Sequence, residues 1–191
     1  MKNRRLYVSL TRDGSIDKAI KALEEYKQEL TMKMETFVDR LADKGIETAI
    51  RTSGQYSKYI TFSKEIQTTG DEAECIIIAT DGQKILREWY PSKKDAENGT
   101  NKRSYYVSGL LLAEFGSGWL ADVMYNIAGV GQGTMPNNYG HSADPDGWYY
   151  YDKSGNKHHS IGEPPTYPMH NAVVSMMQEI NSTAKEVFGS S

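Results

Sequence analysis

Cysteine is almost missing from this chain: Cys75 stands alone, so no disulfide can close within it. Long apolar runs are missing too. The longest, such as Cys75 to Ala79 and Leu110 to Ala113, fall far short of the roughly 18–20 residues that a membrane span requires. The N-terminus, MKNRRLYVSLTRDG, has a basic start but no apolar stretch of signal-peptide length, so synthesis and folding in a cytoplasm are expected. The Asn-x-Thr matches at Asn98 and Asn181 are then coincidental. Positive charge is not in excess either. A net charge of −3 gives no overall pull toward a phosphate backbone or an anionic membrane. Apolar residues at 38% and charged residues at 25% exclude a disordered chain, and 191 residues suffice for one domain of ordinary size.

The signatures of common chemistries are also missing. The four histidines, His141, His158, His159 and His170, match no zinc pattern, and there is no H-E-x-x-H. His158 and His159 are adjacent in an expected strand, so their side chains point to opposite faces and do not share one ion. Asp144-Pro145-Asp146-Gly147 lacks the third acid and the distal glutamate of a calcium loop, and a proline turn explains it. The series Gly129-Val130-Gly131-Gln132-Gly133 is not followed by Lys-Ser or Lys-Thr, so it does not form a phosphate cradle. Cys75 lies in an apolar strand without a positive neighbour and reads as a small buried hydrophobe, not a reactive thiolate. We therefore expect no catalytic residue, no metal and no cofactor.

What is present is a clear order of parts. After a short segment, Leu6 to Leu10, Ser15 is an expected N-cap with Asp17 in the first turn, and Gly45 follows as an expected stop. Between them Ile16, Ile20, Leu23, Leu30, Met34, Phe37 and Leu41 keep a 4-3 alternation interrupted by Lys27. A helix of about 29 residues would be roughly 40 Å long, more than a domain of this size needs to cover its own sheet. Its narrow seam suits packing on that sheet, and it also suits contact with a neighbouring subunit. Ile46 to Ile50, Lys58 to Ile66, Ala73 to Thr80 and Lys84 to Tyr90 then read as strands separated by Ser53-Gly54, Thr69-Gly70-Asp71 and Asp81-Gly82. The last of these turns is short enough for a hairpin, and Cys75 to Ala79, apolar on both faces, is expected at the centre of the sheet.

Pro91 to Arg103 is polar and reads as an exposed excursion. Ser104 to Phe115 places Val107, Leu111 and Phe115 in i, i+4 register and is read as a buried helix, although Tyr105 to Val107 would also suit a strand. From Gly116 to Gly147 the glycines and prolines predict a long loop insertion, within which Trp119, Leu120, Val123, Met124, Tyr125 and Ile127 fall near helical spacing. Gly147 to Asp152 is an aromatic strand, Ser154-Gly155 a turn, and Lys157 to Ile161 its return. After Pro164, Pro165 and Pro168, a helix runs to the end on Met169, Val173, Met176, Met177, Ile180, Ala184 and Val187. The fold class that follows is α+β: a long N-terminal helix, an antiparallel sheet of four or more strands, and a C-terminal helix packed on the sheet. The whole of 1–191 is read as a single domain with a loop insertion at about 116–147. Trp148, Tyr149, Tyr150 and Tyr151 suit sheet packing or a protein interface better than a base-stacking platform, because Asp144, Asp146 and Asp152 flank them with negative charge.

Glu114-Phe115-Gly116-Ser117-Gly118, preceded by aromatic and aliphatic residues, is followed far downstream by Pro165-Thr166-Tyr167-Pro168-Met169-His170-Asn171-Ala172 and a final helix. This order resembles the tail-completion, or neck, proteins of long-tailed bacteriophages, a family of minor tail components. Those proteins carry a Glu-Phe-Gly-Thr-Gly element, an aromatic strand near a Gly-Trp, and a Pro-x-x-Pro-Phe or Pro-x-x-Pro-Met entry to the last helix. Serine in place of threonine at Ser117 is a mild departure, and the stretches 119–146 and 91–103 are longer than compact members require. The resemblance implies a structural virion protein made in the host bacterial cytoplasm. Its subunits would form a homo-oligomeric ring, usually a hexamer, at the head-tail junction, with the head connector or stopper and the tail tube or tail terminator as partners. It implies no membrane and no specific nucleic acid. Trp119, Met124 and Tyr125, with the Trp148 to Tyr151 strand, are the candidate interface residues. In physical terms Gly116 and Gly118 would permit a tight reversal, Phe115 would anchor it in the core, and Glu114 would face a polar partner or remain a solvated acid at a helix end. Two rival readings stand beside this one. A small phage-encoded cell-wall hydrolase would use His141 or His158 with the acids near Asp146, and a nucleic-acid-binding accessory factor would use the tyrosine strand.

Overall fold

A computed structural model describes residues 14–70, 72–118 and 148–189. The expected segment Leu6 to Leu10 lies outside them, as do most of the loop insertion and its amphipathic run from Trp119 to Ile127. The chain divides into two compact units, one of Met1–Ile46, Ser63–Ile78 and Val173–Ser191 and the other of Glu47–Phe62 and Ala79–Ala172. No helix among the described residues is long and apolar enough to cross a membrane.

The first helix, α1, spans Ser15–Thr52, seven residues beyond the expected stop at Gly45, so Ile46 to Ile50 is helix and not strand. Gly45 serves packing instead of termination. A Cβ there would lie 2.9 Å from both Ile77 Cδ1 and Met176 Sδ, closer than real Cβ contacts allow. The helix ends where hydroxyls reach its last carbonyls: Ser53 Oγ donates to Ala49 O at 2.7 Å and Thr52 Oγ1 to Thr48 O at 2.8 Å. Gly54, at φ +54°, then takes the left-handed conformation that Gly45 was expected to adopt.

In the first unit, α1 lies beside the strands β1 (Ile60–Thr69) and β2 (Glu72–Asp81) and beside the last helix, α4 (Pro168–Phe188). Lys64 Nζ bridges Asp39 and Asp43, and Thr68 Oγ1 donates to Glu35 at 2.8 Å. The tilted rings of Phe37 and Phe188 have centroids 5.7 Å apart, Arg40 pairs with Glu186 at 3.5 Å and Lys44 with Glu179 at 3.9 Å, so α4 runs antiparallel to α1. The face of α4 turned inward keeps only part of the apolar set that periodicity suggests, with Met176 against Gly45. Thr183 and Val187 are buried, whereas Val173, Met177 and Ile180 are exposed. Gly45 makes room for Met176 on the inward face, while part of the apolar set of α4 is left outside.

Among the described residues the four-stranded antiparallel sheet does not form, and the strands make four two-stranded pairs: β1 with β2, β3 (Ile85–Trp89) with β4 (Arg103–Val107), β5 (Ser117–Gly118) with β8 (Gly162–Glu163), and β6 (Trp148–Tyr151) with β7 (Lys157–Ser160). Cys75 to Ala79 is therefore not a central strand, and Ile76 is exposed. Burial still pushes the Cys75 thiol up, away from thiolate reactivity. The Asp81-Gly82 turn fails to close a hairpin because its groups are held elsewhere. Asp81 Oδ1 accepts from Ser108 Oγ at 2.9 Å and from Leu110 N at 3.1 Å, and Gly82 N donates to Tyr59 O at 2.8 Å.

In the second unit a short 3₁₀ helix, Gly54–Tyr59, leads into a core of Tyr56, Ile60, Val107, Leu112 and Ala113. The segment read as one helix from Ser104 divides at Ser108: β4 precedes it and α3 (Gly109–Phe115) follows. The polar excursion holds a one-turn helix, α2 (Lys93–Asn98), capped by Ser92 and closed by Gly99 at φ +67°. The aromatic hairpin forms as expected, with Tyr149 opposite His159 and Tyr150 opposite His158. Tyr90 and Tyr151 exchange backbone hydrogen bonds of 2.9 and 3.0 Å, which joins β3 to β6 by a single bridge.

If Gly45 is a packing glycine, Gly45→Val should lower stability by about 1–3 kcal/mol through overcrowding of Ile77 and Met176. Thermal melting measures this. A rise in Tm would mean that helix propensity, not close approach, governs the position.

Candidate functional site

The residues that carry the family resemblance come from two parts of the chain 50 or so positions apart, and the fold brings them into one bracket. It begins at α3. Ser108 Oγ caps that helix by accepting from Leu111 N at 3.0 Å, and Gly109 lets the first turn approach Tyr59, whose Cβ would lie 2.7 Å from a side chain there. At the other end Gly116 N donates to Leu112 O at 2.9 Å and the chain turns sharply, with Gly116 at φ +70° and ψ −161°. A Cβ on Gly116 would meet Glu163 O at 2.5 Å and Pro165 N at 2.8 Å, both backbone atoms that cannot step aside.

That turn launches β5 against β8, with Ser117 opposite Glu163 and Gly118 opposite Gly162. Ser117 is buried, and its Oγ accepts from Glu163 N at 3.1 Å. The Ala113 carbonyl then receives Thr166 N at 2.7 Å, Tyr167 N at 3.1 Å and Thr166 Oγ1 at 3.2 Å. Tyr167 sits at φ +52°, rare for a residue with a side chain, and the three bonds on Ala113 O help to hold it there. Pro168 follows as the first residue of α4, where a missing N–H costs nothing, and it is buried.

Glu114 completes the bracket. Oε2 accepts from Met169 N at 2.9 Å and Oε1 from His170 N at 3.3 Å, so one carboxylate covers two unpaired amides at the positive end of α4. Of the two fates open to Glu114 in the sequence, a polar partner is the one realised, and the partner is in the same chain. Phe115 is half-buried at the rim and does not belong to the central core. Glu114, Phe115, Gly116, Ser117, Gly118, Pro165, Pro168 and Met169 are thus assembled in one place.

Of the candidate interface residues, Trp119, Met124 and Tyr125 lie outside the described residues. Trp148, Tyr149, Tyr150 and Tyr151 form β6. Tyr149 is exposed, with its ring 4.6 Å from the ring of His159 and with Lys157 Nζ 3.9 Å from its centroid, a cation-π contact. Tyr150 stacks on His158 at 5.1 Å. The two histidines do point to opposite faces, one on each tyrosine.

Several groups in this unit were not singled out by sequence. Arg87 Nη2 bonds Glu163 Oε1 at 2.9 Å, while Glu163 Oε2 is buried with no hydrogen-bond partner. Burial therefore pushes the Glu163 carboxyl up despite the neighbouring guanidinium. Asp152 accepts from Ser154 N at 2.8 Å, Asn156 N at 2.9 Å and Asn156 Nδ2 at 3.0 Å, and lies 2.9 Å from His158 Nε2. The His158 bond, followed by those from Asn156, holds its carboxyl well below the usual carboxylate range. An Asp two residues before Ser-Gly-Asn is the pattern of an Asx turn and was the readable signal. Among the described residues no group of three or more His, Cys, Asp or Glu side chains is placed to hold a metal ion.

With this geometry in view, comparison of the chain with family models, with curated proteins and with solved structures gives no match.

Two expectations follow. Glu114→Ala should lower stability by about 1–2 kcal/mol as a lost cap, and Gly116→Ala by about 3 kcal/mol or more because the backbone is both strained and blocked. Denaturant unfolding of the two variants checks the order, and equal effects would deny Gly116 its special role. Asp152, depressed in the fold, stabilises the hairpin above its unfolded value of about 4, and that contribution fades as the pH falls below this toward the folded value. Asp152→Asn should flatten the acid-side slope of Tm against pH, and an unchanged slope would place the acid sensitivity elsewhere.

Proposed function

We propose that this chain is a non-catalytic structural subunit of a tailed phage or prophage, a tail-completion or neck protein whose copies form a ring at the head-tail junction. Its partners are copies of itself, the head connector or stopper on one side and the tail tube or tail terminator on the other. It acts in the virion without membrane, cofactor or specific nucleic acid.

The observation that carries this reading is what the Glu-Phe-Gly-Ser-Gly element does. Both oxygens of Glu114 accept from backbone amides of α4, and Gly116 and Ser117 are occupied by the β5–β8 turn, so the motif fits an architectural role better than proton transfer or nucleophilic attack. A second support is the amount of apolar side chain that the described fold leaves at its surface, including Ile16, Ile20 and Leu23 on α1 and Val173, Met177 and Ile180 on α4. A lone subunit gains nothing from these stripes, whereas a subunit of a closed assembly buries them.

Quantitative mass spectrometry of purified particles tests the reading. The chain should be present in a small fixed number of copies per particle, and its deletion should leave filled heads and finished tails unjoined. Infectious particles without the protein would overturn the proposal.

A further inference from the structure

Within the first unit the apolar seam of α1 extends beyond the described elements that pack on it. Near its end α4 meets α1 through Phe188 and Phe37, and on β1 Thr68 reaches Glu35. From there toward its N-terminus α1 continues for some 20 residues, about 30 Å, and the seam comes to the surface. Ile16 is 52% exposed, Ile20 50% and Leu23 56%. A helix end of that length is marginal in water unless its apolar side is covered. On α4, Val173 is 49% exposed, Met177 67% and Ile180 44%.

The two stripes match. Each has three apolar residues at i, i+4 and i+7 and is about 10 Å long, the spacing at which two helices interlock side chains. The seam of α1 already packs against α4 through Phe37 and Phe188, so a helix of this kind is what it accepts. From Pro168 to Gln178 α4 has no Asp, Glu, Lys or Arg to resist burial, and Lys27 ends the α1 stripe.

We infer that the free end of α1 docks through Ile16, Ile20 and Leu23 on the Val173, Met177 and Ile180 face of a second copy. The contact cannot form within one chain. Met176 sits at Gly45, and Ile20 lies 25 positions before Gly45, about 37 Å along a continuous helix. Because the two surfaces differ, every copy offers one of each. Such a head-to-tail contact generates a ring where the rotation from copy to copy closes, as the proposed function requires. The inference rests on the proposal that the chain assembles with itself, and it specifies the surface.

Cross-linking of full-length chains separates the two. In a Cys75→Ser background, Ile20→Cys and Met177→Cys are made as separate proteins, both at exposed positions, and oxidised alone and as a mixture. The mixture should yield a disulfide-linked dimer at least tenfold faster than either protein alone. Equal self-linking of either variant would overturn the inference in favour of a two-fold contact. No link in the mixture, while unmodified chains sediment as oligomers, would place the ring contact elsewhere and leave the ring standing. No link together with monomeric chains at all concentrations would overturn both.

Discussion

The carbonyl of Ala113 and the carboxylate of Glu114, adjacent at the end of α3, decide where the last helix of this protein begins. One receives the backbone of Thr166 and Tyr167, and the other receives the first free amides of α4. Between the two segments the chain makes an excursion of about 50 residues, and closing such a loop carries an entropic cost that local bonds must offset. The turn at Gly116 makes closure possible, since any side chain there would strike the backbone of Glu163 and Pro165. The motif is therefore best understood as a joint. Its acid, glycine and serine each satisfy a backbone requirement of the returning strand or helix.

A second constraint acts on α1. The absence of a side chain at Gly45 lets Ile77 and Met176 come within reach of the helix, so that the Met176 side of α4 faces inward. Among the described residues this leaves apolar side chains at the surface. Val173, Met177 and Ile180 on α4, and Ile16, Ile20 and Leu23 on α1, face outward in two rows of equal spacing. Packing inside the first unit thus leaves these rows exposed among the described residues, and the burial of such surface is what the proposed self-assembly would supply.

Much of this was readable in the residues. The two long helices and the hairpin of Trp148 to Tyr151 with Lys157 to Ser160 follow from periodicity, proline placement and turn chemistry, whereas the return of Thr166 to His170 to the end of α3 is a tertiary contact that no local pattern announces. The misreadings share a cause. A glycine that stops a helix and one that admits a neighbour look alike in sequence, so Gly45 reads as a terminus although Gly54 is the residue with positive φ. The Asp81-Gly82 pair has hairpin composition, but its donors and acceptors bind Ser108, Leu110 and Tyr59, groups that only the tertiary fold brings near. The same holds for α4, where periodicity identifies an apolar stripe without saying whether the stripe faces the chain's own core or a partner.

Native-state amide hydrogen exchange at Met169 and His170 tests the joint most directly. If Glu114 and Ala113 hold α4 to α3 as one cooperative piece, these first-turn amides should exchange as slowly as the core amide of Leu112, with the same dependence on denaturant. Exchange of Met169 and His170 orders of magnitude faster than Leu112, as at an ordinary fraying helix end, would contradict the account.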